Sequence, residues 1–69
     1  MIHYVLKNGD NFFEKWRKGG GPHYQSKAPL FTDDINRAHV YTSMQDMIDD
    51  YMWMEDMGYI VLIQLVRAL

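Results

Sequence analysis

The chain lacks cysteine altogether, which excludes a disulfide framework, a thiolate nucleophile and cysteine-based zinc sites. It also lacks a long apolar run: the longest, residues 59–66, contains Gln64 and is too short to span a bilayer. The N-terminus lacks the basic start and apolar stretch of a secretory signal peptide. We therefore expect a cytoplasmic protein without a membrane segment.

The chain also carries few of the patterns that catalysis or metal binding requires. The glycine run 19–21 is followed by Pro22 and not by the Gly-Lys-Ser/Thr of a phosphate-binding loop. His3, His23 and His39 lack the paired spacing of metal ligands. So short a chain has little room for a substrate pocket of ~300 Å³. We expect no enzymatic activity, no cofactor and no metal site.

The composition is typical of a single small domain spanning residues 1–69. Hydrophobic residues make up 48% of the 69 residues, enough for a compact core. The net charge is only −2, but the charges are unevenly distributed. Residues 1–27 contain five of the seven lysines and arginines, whereas residues 28–69 contain seven of the nine acids. This asymmetry predicts a polarised surface and bears on which partners the domain could bind.

The first third of the chain predicts a β-hairpin followed by a loop. Asn8-Gly9 separates two runs that are rich in aromatic and β-branched residues, and Asn-Gly is a strong signal for a two-residue hairpin turn. The predicted strands are residues 1–7 and 11–17. Residues 18–29 contain three glycines and both prolines, so they predict a loop.

Two helix starts follow. The run Thr32-Asp33-Asp34 supplies a cap, at Thr32 or Asp33, for a short helix that extends to Ala38. Ser43 is a suitable N-cap for a longer helix over residues 44–57, and Gly58 is placed to end that helix.

Two further strands complete the predicted fold. Residues 39–42 are β-prone and predict a short third strand. Residues 59–66 are almost continuously apolar, which predicts a central strand covered on both faces. The order is β-β-(short α)-β-α-β. The predicted fold class is therefore α+β, a small, four-stranded, largely antiparallel sheet with one main helix packed on one face.

One segment also resembles a group of small phage proteins. Phe31-Thr32-Asp33-Asp34, then Ala38, Tyr41 and Ser43 before a helix, is similar to a T-D-D…A…Y-x-S helix–strand–helix element. That element follows an N-terminal hairpin in small uncharacterised proteins encoded by phages and mobile elements. Many of these are accessory factors or inhibitors, so the resemblance implies a host protein as partner. It covers about half of the chain, and the main helix departs from it by carrying methionines and aspartates in place of alanines.

The longer helix carries the principal candidate site. At roughly 100° per residue, the face predicted to pack on the sheet holds Met44, Met47, Ile48, Tyr51 and Met54. The opposite face surrounds a tryptophan with acids. Because tryptophan is enriched at interface hot spots and acids steer basic partners, this face predicts a protein-binding surface. Its residues are Trp53, Asp46, Asp49, Asp50, Asp56 and Met57.

Three alternatives stay open at this point. The acidic face could be merely solvated or covered by the glycine-rich loop. A second surface, rich in cations and aromatics, could bind single-stranded nucleic acid; it comprises Lys15, Trp16, Arg17, Lys18, Tyr24 and Lys27. The sequence pI of about 5.8 argues against this function. Lastly, the domain could self-associate as a homodimer that buries Trp53 and Met57.

Overall fold

The computed structural model of the chain describes residues 2–18 and 27–67, with four strands and one α-helix. These elements are β1 (Ile2–Asn8), β2 (Asn11–Lys18), β3 (Lys27–Thr32), α1 (Met44–Asp56) and β4 (Leu62–Arg67). All neighbouring strands are antiparallel and follow the order β3-β2-β1-β4. α1 packs against this sheet, which confirms the predicted α+β class. The part of the predicted loop over residues 19–26 lies outside the described residues.

The predicted hairpin is confirmed, but its turn lies one residue later than the Asn-Gly signal indicates. Asn8 and Asn11 are cross-strand partners, so the two turn residues are Gly9 and Asp10. Gly9 has a φ of 61°, whereas Asp10 does not have a positive φ. A positive φ at the first central position only is typical of a type II′ turn, which favours glycine there.

β3 begins within the predicted loop, which extends to Pro29, and continues to Thr32. Pro29 lies within it, opposite Trp16 of β2. A proline is tolerated here because β3 is an edge strand, where one side needs no ladder hydrogen bonds. The pairing is irregular between Phe13 and Lys15. Such a bulge shifts the alternation of side chains between the two faces of the strand by one residue. Phe13 and Trp16, three positions apart, can therefore pack edge to face, with ring centroids 5.2 Å apart.

The predicted third strand, residues 39–42, is wrong as a strand. Tyr41 instead forms a single antiparallel bridge to Tyr4 of β1, with N···O distances of 3.0 and 2.8 Å. The His39 amide donates to the Phe13 carbonyl of β2 at 2.8 Å. This segment thus contacts both β1 and β2, which pair with each other only near the hairpin turn. The extended residues 39–41 therefore lie between β1 and β2 where these two strands do not pair with each other.

The prediction of a central, fully covered C-terminal strand is also wrong. β4 lies at the edge of the sheet and pairs with β1 alone among the described strands. Leu62 and Leu65 are 65% and 61% exposed. α1 packs on β1, and side chains of β4 stay exposed on the helix side of the sheet as well. A continuous apolar run indicates burial on both faces only when the fold supplies two covering layers, and residues 2–18 and 27–67 supply one α-helix on one face.

The caps of α1 follow the sequence prediction closely. The Ser43 hydroxyl accepts a hydrogen bond from the Asp46 amide at 3.3 Å, as an N-cap does. At the other end Gly58 adopts a φ of 94°. Its amide donates to the Glu55 carbonyl and the Tyr59 amide donates to the Met54 carbonyl, which together form a Schellman motif.

The short helix is one 3₁₀ turn, Ile35–Arg37, shorter than the predicted element. Asp34 caps it, in place of Thr32 or Asp33, because its carboxylate accepts from the Asn36 amide at 2.9 Å. The Thr32 hydroxyl accepts from the Asp34 amide and stabilises the turn before the cap.

One apolar cluster joins the sheet, the Tyr41 bridge and the helix. Its buried members are Leu6, Phe13, Tyr41, Met47, Met54 and Val61. The predicted buried face of α1 is confirmed at Met47 and Met54, and Tyr51 packs against the cluster. It is wrong at Met44 and Ile48, which are 54% and 36% exposed.

Two methionines on α1 give a direct test of this helix orientation. Met54 is fully buried and Met52 is 58% exposed. We expect Met54→Ala to lower the free energy of unfolding by about 2–5 kcal/mol, since it leaves a cavity. Met52→Ala is expected to change it by less than about 0.5 kcal/mol. Urea denaturation followed by circular dichroism measures both; equal effects would contradict the orientation.

Candidate functional site

Trp53 lies on the flank of α1 next to its buried face. Met47 and Met54 point into the core, and residues one position along a helix are turned by roughly 100°. Trp53 is therefore directed sideways, over the β3 side of the sheet, and is 48% exposed. Met57, one turn further on, is 40% exposed. The structure thus places a large aromatic side chain and a thioether together at the surface.

A lysine from β3 holds this indole in place. The Lys27 ammonium lies 4.9 Å from the centroid of the Trp53 ring and 4.5 Å from that of Trp16. Each distance is within the ~6 Å of a cation–π interaction, which is worth ~0.5–2 kcal/mol depending on exposure. We call Trp16, Lys27 and Trp53 the indole–lysine stack. It connects β2, β3 and α1 through side chains.

The two indoles of the stack differ in environment. Trp16 is half-buried and packs against the core, and its Nε1 is buried without a hydrogen-bond partner among the described residues. Trp53 leaves nearly half of its surface to solvent. Trp16 is therefore the member of the stack that is anchored to the core, whereas Trp53 is the member that can contact another molecule.

Three of the four predicted aspartates lie on the exposed side of α1. Asp46, Asp49 and Asp56 are exposed, and the Asp49 carboxylate accepts from the Gln45 amide group at 2.9 Å. Among the described residues the single ion pair joins Arg37 to Glu14, remote from these acids. Their charges are thus not neutralised by a described lysine or arginine in direct contact.

Asp50 differs from the predicted arrangement. It is half-buried, and its carboxylate accepts a hydrogen bond from the Tyr41 hydroxyl at 2.6 Å. Burial, with the hydrogen bond and the charge of Asp50, raises the pKa of Tyr41 far above its ordinary value. Asp50 therefore connects the helix to the Tyr41 bridge and does not belong to the solvent-facing acids. The helical spacing could not show this, because the tyrosine approaches from another segment.

The second predicted surface is only partly assembled. Lys15, Arg17 and Lys18 are exposed on β2, and Lys18 is the cross-strand partner of Lys27. The Trp16 ring, however, is mostly covered. Tyr24 lies outside the described residues. The sequence predicts Lys27 and Trp53 in separate sites, and no local signal indicates that they meet, because residues 18–29 predict a loop where β3 begins.

Neither a metal site nor a membrane-spanning helix is found among the described residues. Among them, no three histidine or acidic side chains are close enough to hold a metal ion. His39 packs against Phe13 and Tyr41 as an aromatic, and His23 lies outside the described residues. In the same part of the chain no helix has the length and apolar character needed to cross a membrane.

Comparisons with protein-family models, with curated proteins and with solved structures give no significant match. The function is therefore argued from the site itself.

The indole–lysine stack predicts a spectroscopic signature. Protons above an indole ring resonate upfield, so the ε-methylene protons of Lys27 are expected upfield of those of the exposed Lys15 in proton–carbon NMR spectra. Trp53→Leu should remove part of this shift and leave the part due to Trp16. Unshifted Lys27 resonances in the wild-type domain would contradict the stack.

The Tyr41–Asp50 hydrogen bond predicts a loss of stability at high pH. Because the pKa of Tyr41 is raised in the folded state, its ionisation above pH ~10 favours the unfolded chain. The free energy of unfolding should fall above that pH, and less steeply in Tyr41→Phe. Denaturation at several pH values measures this. Tyr59→Phe, which leaves Asp50 untouched, is the control; identical slopes in both variants would disprove the assignment.

Proposed function

We propose that this domain is a non-enzymatic protein-interaction module that binds its partner through the Trp53 side of α1. The observation that carries the proposal is an exposed tryptophan held in place by the indole–lysine stack. Trp53 and Met57 are 48% and 40% exposed, so they offer neighbouring apolar side chains at one end of the helix. Interfaces commonly place such aromatic and methionine side chains at their centre.

The stack supports binding because it lowers the cost of ordering Trp53. A free surface side chain loses ~0.5–1.5 kcal/mol of rotamer freedom when it is immobilised at an interface. Trp53 already rests on Lys27, which in turn rests on Trp16. Part of the ordering has therefore taken place before a partner arrives.

The charge of the surface supports a basic partner. Asp49 and Asp56 lie on the exposed side of α1, on either side of Trp53 along the helix. Acids at the rim of an interface accelerate association with a positively charged surface and disfavour acidic ones. Their effect decreases with salt, because exposed charges more than ~10 Å apart are screened at 0.1 M.

The resemblance to phage and mobile-element proteins supports a host protein as the partner. Such a domain would act by occupying a surface that the host protein needs, which requires binding alone and no chemistry. We propose an inhibitory or modulating role of this kind.

Binding of single-stranded nucleic acid is the second candidate function. One observation favours it: Lys18 and Lys27 are cross-strand partners beside an exposed indole. The nearby acids disfavour it, because phosphates would approach Asp49 and Asp56. Trp16, which lies between the cations in sequence, is also half-buried against the core, so less of its ring is free to stack on a base.

Affinity capture from a bacterial lysate tests the proposed function. The wild-type domain should retain a defined protein, whereas Trp53→Ala should weaken its binding at least tenfold, as expected when a hot-spot side chain is removed. The double variant Asp49→Lys/Asp56→Lys should also weaken it, most strongly at low salt. Quantitative titration with the purified partner then measures both effects.

The control for this experiment is Ile35→Ala. Ile35 is 45% exposed on the 3₁₀ turn and belongs to neither α1 nor the indole–lysine stack, so its loss should leave binding unchanged. Equal capture by Trp53→Ala and the wild-type domain would overturn the proposal. Capture that disappears when the lysate is treated with nuclease would favour the nucleic-acid alternative.

A further inference from the structure

The two edges of the sheet differ in how well they could accept another strand. β3 carries Lys27 and Pro29, and its pairing with β2 is bulged. Lysine, proline and bulges are the devices by which edge strands avoid pairing with other chains. β4 has none of them between Leu62 and Val66, and it pairs with β1 over six consecutive residue pairs without a break. As far as the described residues show, the β4 edge is therefore regular and carries none of these protective features.

β4 also exposes apolar side chains on the face of the sheet that carries the helix. Ile63 and Leu65 lie opposite Leu6 and Tyr4 of β1, which belong to or pack against the core. Directly opposite residues share a face of the sheet. Ile63 and Leu65 therefore point toward the helix layer, yet they are 46% and 61% exposed.

One flank of α1 extends this apolar surface. Trp53 occupies the flank above Lys27 of β3, and at roughly 100° per residue Met44 and Ile48 lie on the other flank, toward β4. They are 54% and 36% exposed. Helix and strand together form what we call the β4 surface: Met44, Ile48, Ile63 and Leu65.

The edge of β4 is complementary to itself. Leu62 to Val66 carries no charge, so antiparallel pairing of two copies about a two-fold axis places no like charges opposite each other within this run. Arg67 follows at the end of the strand, and the two copies of it fall at opposite ends of such a pair. Two six-residue strands would add about six backbone hydrogen bonds.

We propose that β4 pairs with β4 of a second copy of this chain. The resulting two-fold dimer has one continuous antiparallel sheet, with both helices on the same face. Their Met44 and Ile48 flanks cover Ile63 and Leu65 across the axis. This interface lies on the opposite side of α1 from Trp53, so the dimer would present two Trp53 surfaces. It does not depend on the proposed function.

Sedimentation equilibrium across a wide range of protein concentration tests this proposal. The wild-type domain should reach twice the monomer mass. Leu65→Lys places a charge in the new interface and should reduce the mass to that of the monomer. Trp53→Ala is the matched control, because it removes an exposed apolar side chain from the other flank; it should remain dimeric.

Amide hydrogen exchange of the wild-type domain gives a second measurement that needs no variant. Protection of the amides in β4 should rise with protein concentration, whereas protection in β3 should not. A wild-type domain that is monomeric throughout would overturn the proposal. A dimer that survives Leu65→Lys but is lost in Trp53→Ala would also overturn it, since the helix flank around Trp53 would then be the contact.

Discussion

The position of Tyr41 is the constraint on which the rest of the structure depends. Its backbone bridges to β1 and its ring is buried in the core. Its hydroxyl donates to Asp50 of α1 at 2.6 Å. One residue therefore fixes the spacing between sheet and helix, and a hydrogen bond to a charged acceptor is worth ~1.5–3 kcal/mol. Because small domains are stable by only a few kcal/mol, this single contact is a large share of the total.

With the helix held in this way, its two flanks acquire different environments. The flank over β3 receives Lys27, which holds Trp53 against Trp16. The flank over β4 receives no such cover among the described residues, and Ile48 stays 36% exposed. One helix thus separates two surfaces: a polar, aromatic surface beside acids, and an aliphatic surface beside an open strand edge. The first is suited to a charged partner and the second to another strand.

Local chemistry accounts for what the sequence could predict. Ser43 and Gly58 cap α1 through contacts within a few residues, so sequence reasoning located both ends to within one residue. The positions of β3 and β4 depend on strand order, which no local pattern encodes. Pro29 therefore predicts a loop, because proline within a sheet is tolerated mainly in an edge strand. The candidate site divides in the same way: exposure of Trp53 followed from helical spacing, whereas its contact with Lys27 and the burial of Asp50 arise from segments distant in sequence.

The pairing of β1 with β4 has a consequence for how the chain reaches its native state. β1 is the first strand described and β4 the last, yet they are adjacent along their whole length. During synthesis on the ribosome, β1 and β2 emerge long before β4 can cover the open side of β1. Non-local pairings of this kind slow folding and leave strand edges exposed to aggregation. We therefore expect the nascent domain to complete its sheet late, when β4 emerges and closes the open side of its central strand.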